Sequence, residues 1–331
     1  MMKSIYIRSL ILSLAAGLIL VASGCKEESG IDEKAVQELR FFDLYMSSTF
    51  KDTIDAPTAS GLYYIEVKEG TGNSPDADDW VLINYVLTTI PDETVVDTYL
   101  ENVAEDNGIY SEDAIYGPFK MLNGIANEGL TEGLSMMREG GQAIMCFKSD
   151  LGYGTKGTSL MKSIAGYKSL KYEIELLEVI KDMIAYEGAR IEAYTDTIVG
   201  VQVIHDSISD AVMYYVVDEK TTGSQVNNDS VVEVAYKGYL MDGRVFDQSA
   251  EDAPFEIKVG DFTDGNIRGW HLGLTGFREG EKGRFIIPYA LAYGESGKLI
   301  GNIYAIQPFE TLVFDIEVVS IKAQIDSEEP I

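Results

Sequence analysis

An α+β fold repeated in tandem is what the sequence predicts. Three observations carry the expectation: a self-similarity near 150 residues, strand-like alternation, and one short amphipathic helix among the strands. Leu62-Tyr63-Tyr64 recurs as Met213-Tyr214-Tyr215, Gly72 as Gly223 and Tyr85 as Tyr236, each at an offset of 151. Val232, Val234 and Tyr236 alternate with Glu233, Ala235 and Lys237, and Leu312, Phe314 and Ile316 alternate with Val313, Asp315 and Glu317. Period two turns one face of each run to a core and the other to solvent. Ile267, Trp270, His271 and Leu274 fall at i, i+3, i+4 and i+7, the spacing of a helix that packs one face on a sheet.

From the N-terminus, Lys3 and Arg8 precede an apolar run from Leu10 to Ala22, followed by Ser23, Gly24 and Cys25. This predicts a secretory signal peptide over 1–24, since the run falls short of the roughly 20 residues that a membrane-spanning helix needs. Ser23-Gly24 before Cys25 resembles the lipobox of bacterial lipoproteins, although Ala22 stands where that motif usually has Leu. The resemblance implies lipidation at Cys25 and a membrane anchor, each buried methylene contributing about 0.8 kcal/mol. Lys26-Glu27-Glu28 resembles the export signal of Bacteroidetes surface lipoproteins. The implied address is the bacterial cell envelope, at the outer membrane and facing outward.

A chain of 331 residues has room for two domains with full cores. Its formal net charge of −28 repels phosphate backbones, so nucleic-acid binding is disfavoured. With Cys25 lipidated, Cys146 is the one cysteine left and no intramolecular disulfide is possible. His205 and His271 stand alone, which argues against a zinc site and makes each a surface or packing residue; no cofactor is implied.

Each copy opens with a helix-like segment, Asp32 to Phe50 and Asp182 to about Thr197. Val36, Leu39 and Phe42, or Ile184 and Ile191, recur there at roughly helical spacing. Met241-Asp242-Gly243 supplies a hairpin turn. The expected organisation is a leader over 1–24, a lipidated segment with helix and linker over 25–59, a first domain over 60–180 and a linker helix over 181–210. A second domain over 211–323 and a tail over 324–331 complete it.

Six segments of the second copy, in order, resemble the FKBP-type peptidyl-prolyl cis-trans isomerases: Val234-Ala235-Tyr236-Lys237-Gly238, Gly243-Arg244-Val245-Phe246-Asp247, Pro254-Phe255, Ile267-Arg268-Gly269-Trp270, Ala292-Tyr293-Gly294 and Thr311-Leu312-Val313-Phe314-Asp315. The resemblance implies two tandem FKBP-like domains, each a twisted antiparallel sheet wrapped around a short helix, the family's shallow proline pocket lying between sheet and helix. Residue by residue it implies Trp270 as pocket floor and Tyr236, Phe246, Phe255 and Phe314 as walls. The Ile267 N–H and the Tyr293 hydroxyl would hold substrate carbonyls, and Asp247 would make polar contacts at the rim. Proline-containing polypeptides are the implied partners, with a macrolide as inhibitor. The flap from Gly297 to Phe309 departs from the family: Gln307 stands where one of two prolines is usual, beside Pro308.

The chemistry suits such residues independently. Rotating an X-Pro bond breaks amide resonance across a barrier of about 18 to 20 kcal/mol, and no covalent bond changes partners. Resonance gives the planar amide a charge separation that water stabilises and that fades as the bond twists. An apolar cage therefore favours the twisted state, and fixed donors add to that preference. Acceleration of roughly a millionfold needs about 8 kcal/mol of differential binding.

The first copy keeps Tyr85, Asp97, Pro118-Phe119, Gly152-Tyr153-Gly154 and Tyr172. Leu130 replaces Trp270, Val96 replaces Phe246, and Asn127 replaces Ile267. Phe119 comes 22 positions after Asp97, against 8 from Asp247 to Phe255, so an acidic loop from about Tyr99 to Ile115 is inserted. Smaller walls and a wet loop predict a degenerate pocket of Tyr85, Asp97, Phe119, Leu130, Tyr153 and Tyr172. That domain reads as a weak or inactive isomerase that binds peptides or pairs copies, or as a spacer. Met136, Met137 and Met145 read as gap-filling core. The function expected is isomerisation of prolines in exported proteins. The alternatives are a non-catalytic peptide-binding chaperone or assembly component of the envelope, and a glycan-binding surface lipoprotein.

Overall fold

The computed structural model describes residues 32–51 and 56–322, so the leader, Cys25 and the tail lie outside the described residues. Helix α1 (Glu33–Thr49) begins at Asp32, whose side chain accepts from the Lys34 N–H. The first domain then runs β1 (Tyr63–Lys68), β2 (Trp80–Ile90), β3 (Thr94–Thr98), α2 (Glu101–Asp106), β4 (Phe119–Leu122), α3 (Glu128–Met136), β5 (Gln142–Phe147), the small pair β6 (Thr158–Ser159) and β7 (Ser163–Ile164), and β8 (Ser169–Ile180). Helix α4 (Met183–Thr195), capped by Asp182, leads to the second domain. There the order is β9 (Gln202–His205), β10 (Val212–Glu219), β11 (Val231–Leu240), β12 (Val245–Gln248), β13 (Phe255–Lys258), α5 (Arg268–Leu274), β14 (Lys282–Ile287), β15 (Lys298–Ile300), β16 (Ile303–Ile306) and β17 (Leu312–Lys322).

The strand orders β3-β2-β8-β5-β1 and β12-β11-β17-β14-β10 are one arrangement twice, with β4 on β2 and β13 on β11. Register agrees as well: Leu87 faces Tyr172 as Gly238 faces Phe314. The repeat read from sequence is therefore a repeat of topology. In each copy the short helix sits directly on the sheet because two glycines, one turn apart, face it. A Cβ on Gly269 would meet Ile287 at 2.3 Å and one on Gly273 would meet Phe285 at 2.8 Å; on Gly129 and Gly133 it would meet Phe147 at 2.6 Å and Met145 at 2.3 Å. Helix and sheet then bury Leu130 and Leu134 in the first domain, and Trp270, His271 and Leu274 in the second.

Several expectations need correction. Val36, Leu39 and Ile184 are exposed, whereas Phe42 and Ile191 are buried; α1 also buries Tyr45 and Met46, and α4 also buries Met183 and Glu187. Helical periodicity located the helices without saying which face the domain covers. The segment 181–210 is more than a linker helix, since β9 pairs with β10 and starts the second sheet before residue 211. Met136 is exposed, whereas Met137 and Met145 are core. The inserted loop is not wet. Its acids Glu101, Glu105 and Asp106 face out, while Val103, Ala104, Ile109 and Tyr116 close a small buried cluster with Val95.

The two domains meet over a buried ionic cluster. Lys120 Nζ lies 2.9 Å from Glu310 and 3.3 Å from Glu187, with all three side chains at most 6% exposed. Arg190 of α4 adds a 2.6 Å contact to Glu187. Trp80 of the first domain packs edge-on against Phe309 of the second, at 5.2 Å between centroids.

Candidate active site

Strands β11, β12, β13 and β17 and the start of α5 bring the second-copy aromatic residues together. Trp270 is 5% exposed. Around its indole stand Tyr236 and Phe314 at 5.1 Å, Phe255 at 5.9 Å and Phe285 at 6.0 Å, all edge-on with interplanar angles of 77° to 83°. Phe246 reaches the group through Phe314, 5.4 Å away at 88°. Edge-to-face pairs place positive ring edges against negative faces, and each contributes about 0.5–1.5 kcal/mol beyond area burial. Tyr236, Phe246, Phe255, Ile267 and Tyr293 are half-buried around the covered indole and Phe314. The set is thus a cup-shaped cluster, a covered indole and Phe314 with half-buried rings around them, which Ile115 of the first domain also joins. Phe285, fully buried beneath the indole, is a supporting ring absent from the expected site; its only sequence signal was an apolar run, Phe285-Ile286-Ile287, that any core strand carries.

Polar groups sit at the edge of this cup. The Tyr236 hydroxyl donates to Asp247 Oδ2 at 2.8 Å. Burial, and then that hydrogen bond to a carboxylate, raise the Tyr236 pKa well above its ordinary value and keep the hydroxyl a donor. The Tyr293 hydroxyl accepts a long 3.5 Å contact from Lys298 Nζ, whose ammonium also lies 5.1 Å from the Tyr293 ring centroid. Ile267 is the residue before α5, in extended conformation, and its N–H has no intramolecular acceptor among the described residues. An unpaired donor beside an apolar cup is a ready contact for a carbonyl. The helix start is held by Arg268, which grips Asp206 through two contacts of 2.7 and 2.5 Å and lies 4.3 Å over the Phe262 ring. His271 is buried behind the cup, its Nδ1 accepting from the Gly260 N–H at 3.3 Å, so it packs and orders a turn.

The first-copy residues also converge, and two further rings pack on them. Tyr85 donates to Asp97 at 2.8 Å, repeating the Tyr236–Asp247 pair. Tyr85, Leu130 and Tyr172 are buried, and Phe119 and Tyr153 are half-buried. Tyr99, from the insertion, stacks on Phe119 at 4.7 Å, and Tyr304 of the second domain approaches the same ring at 5.8 Å. Asn127 acts as cap of α3 by accepting from the Leu130 N–H, and donates to the Tyr172 hydroxyl at 3.0 Å. Burial pushes the Asp97 carboxyl up to about 6.

A family model described as FKBP-type peptidyl-prolyl cis-trans isomerase matches residues 72–177 and 222–319, together more than half of the chain. The chain belongs to the FKBP-type peptidyl-prolyl cis-trans isomerase family. Among its curated FKBP relatives, FkpA of Escherichia coli K12, an FKBP-type peptidyl-prolyl cis-trans isomerase, is 37% identical over 115 residues, covering 34% of this chain and 39% of the relative. Peptidyl-prolyl cis-trans isomerase FKBP15-2 of Arabidopsis thaliana is 40% identical over 103 residues, 31% of this chain and 60% of the relative. These matches span less than two thirds of either relative. Among solved FKBP structures, E. coli FkpA aligns with 45% of this chain and 62% of its own at 25% identity and a TM-score of 0.37. The three FKBP domains of wheat FKBP73 align with 80% of this chain and 96% of their own, at 20% identity and a TM-score of 0.32.

Proposed function

We propose that the second domain is a peptidyl-prolyl cis-trans isomerase acting on proline-containing polypeptides, by desolvation in the cup floored by Trp270. The supporting observation is the pairing of a covered indole with half-exposed aromatic walls and an unpaired Ile267 N–H beside them. Tyr236, Phe246, Phe255 and Phe314 grip the pyrrolidine ring. Ile267 N–H and the Tyr293 hydroxyl hold the flanking carbonyls, and Asp247 keeps the Tyr236 hydroxyl oriented. No proton or nucleophile is required, because only a torsion changes. In the first domain Tyr99 and Tyr304 pack against Phe119, the counterpart of Phe255, which favours a non-catalytic role.

The leader pattern and Cys25 support a lipid-anchored protein of the bacterial envelope, at the outer membrane, whose clients are exported polypeptides. Among the described residues no helix is long and apolar enough to cross a membrane. A macrolide inhibitor of the family is expected to compete with peptide at the same cup. Exchange spectroscopy on an X-Pro tetrapeptide with the full chain tests the reading: catalysed cis-trans exchange supports it, and exchange at the uncatalysed rate refutes it.

A further inference from the structure

The flap of the second domain is held by the first domain. The β15–β16 hairpin carries Tyr304 onto Phe119, and the Tyr304 backbone N–H donates to the Tyr99 hydroxyl at 2.9 Å. Gln307 follows the hairpin. Its Oε1 accepts from the Lys120 backbone N–H at 2.8 Å, and its Nε2 donates to the Pro118 carbonyl at 3.0 Å. The side chain thereby pairs with the backbone of β4 as a neighbouring strand would, which a proline at this position has no groups to do. Next to it, Ile306 is buried in the core cluster that contains Trp270 and Phe314. The grip is returned from the other side: Ile115 of the insertion joins that same cluster, and Arg244, two residues before Phe246, donates to the Tyr116 carbonyl at 2.7 Å.

We infer that the first domain is a positioning partner for the active-site flap of the second, with Tyr99 and Gln307 as positioning residues that set how the flap meets a bound peptide. This rests on the isomerase reading of the second domain. The degenerate pocket has exchanged a peptide ligand for an intramolecular one. Leu130 in place of a Trp and the insertion bearing Tyr99 are then adaptations that close the pocket on the flap.

The test compares the full chain with Tyr99→Phe, Gln307→Met and the double variant. Amide hydrogen exchange is read across the flap, and isomerase kinetics are measured on tetrapeptides that differ in the residue before proline. Loss of one, two or, in the double variant, three interdomain hydrogen bonds is expected to speed exchange over Lys298–Ile306 by about tenfold or more while β11 and β17 keep their protection. KM should rise about threefold to tenfold with kcat within about twofold, and the ranking of peptides should change. Tyr99→Phe removes a single oxygen and keeps the test decisive should the double variant fail to fold. Unchanged flap exchange in Gln307→Met and Tyr99→Phe overturns the inference, since the hairpin then holds itself. The exchange measurement decides this even if the parent proves inactive, which would sink the isomerase reading separately.

Discussion

At the residue scale the two copies differ by a compensating exchange of volume. Gly238 leaves space that a Cβ would lose at once, lying 2.8 Å from both the Phe246 and Phe314 rings. The first copy has Leu87 at this position and the smaller Val96 in place of Phe246, both in one buried cluster. Gly238→Leu should therefore destabilise by about 2 kcal/mol through overpacking, as a thermal melt would report. Adding Phe246→Val should recover much of that loss without restoring peptide binding, a non-additive cycle. Asp97 offers a second test. Its folded pKa of about 6 exceeds the roughly 3.9 of an unfolded Asp, so the folded state binds more protons between those values. The favourable contribution is complete below about pH 4 and is lost as pH rises through 6. Asp97→Asn should flatten that slope and raise stability at pH 7 by on the order of 2 kcal/mol relative to the parent. The ordered aromatic residues of the second copy were legible because their types and spacings form a set. Tyr99 was not, being one ring at the edge of an acidic stretch whose inward face only tertiary packing reveals.

At the element scale the strands and short helices followed from period two, period 3.6 and the glycine pair, and these survived folding because one face of each is covered. Helices α1 and α4 were located correctly and their inward faces only in part: Phe42 and Ile191 are buried, but Val36, Leu39 and Ile184 face solvent despite apolar periodicity. Helix α5 depends on a contact that no local pattern displays: Asp206, 62 residues away, anchors Arg268 at its first turn. The Arg268 guanidinium holds the Asp206 carboxyl well below the usual carboxylate range. Its stabilisation is thus present above about pH 4 and is lost as pH falls through the lower folded value. Asp206→Asn leaves the half-buried Arg268 guanidinium without its charge partner and should cost about 2 kcal/mol. Because Ile267 adjoins this turn, peptide affinity measured by titration should weaken in the same variant.

At the scale of the whole molecule, duplication was legible as a repeat, whereas the docking of the copies was not. Lys120 hinted at it: its counterpart in the second copy is Glu256, exposed on β13, and a lysine standing there in so acidic a chain had a reason that only the buried Glu187 and Glu310 supply. In the tandem fold Tyr99 and Tyr304 pack on the first-copy aromatic cluster, while the rings around Trp270 stay half-buried and Ile115 of the first domain joins their cluster. The proposed isomerase activity turns on that second cluster and its indole. The first copy demonstrates that the fold accepts Leu at the equivalent helix position, so Trp270→Leu removes the floor with the architecture retained. The decisive measurement is the cis-to-trans rate of an X-Pro peptide with the full chain and with Trp270→Leu, both checked for a native melt. A parent rate well above the uncatalysed one, falling at least about tenfold in the variant, is the predicted result. Equal rates in the two folded proteins would contradict it.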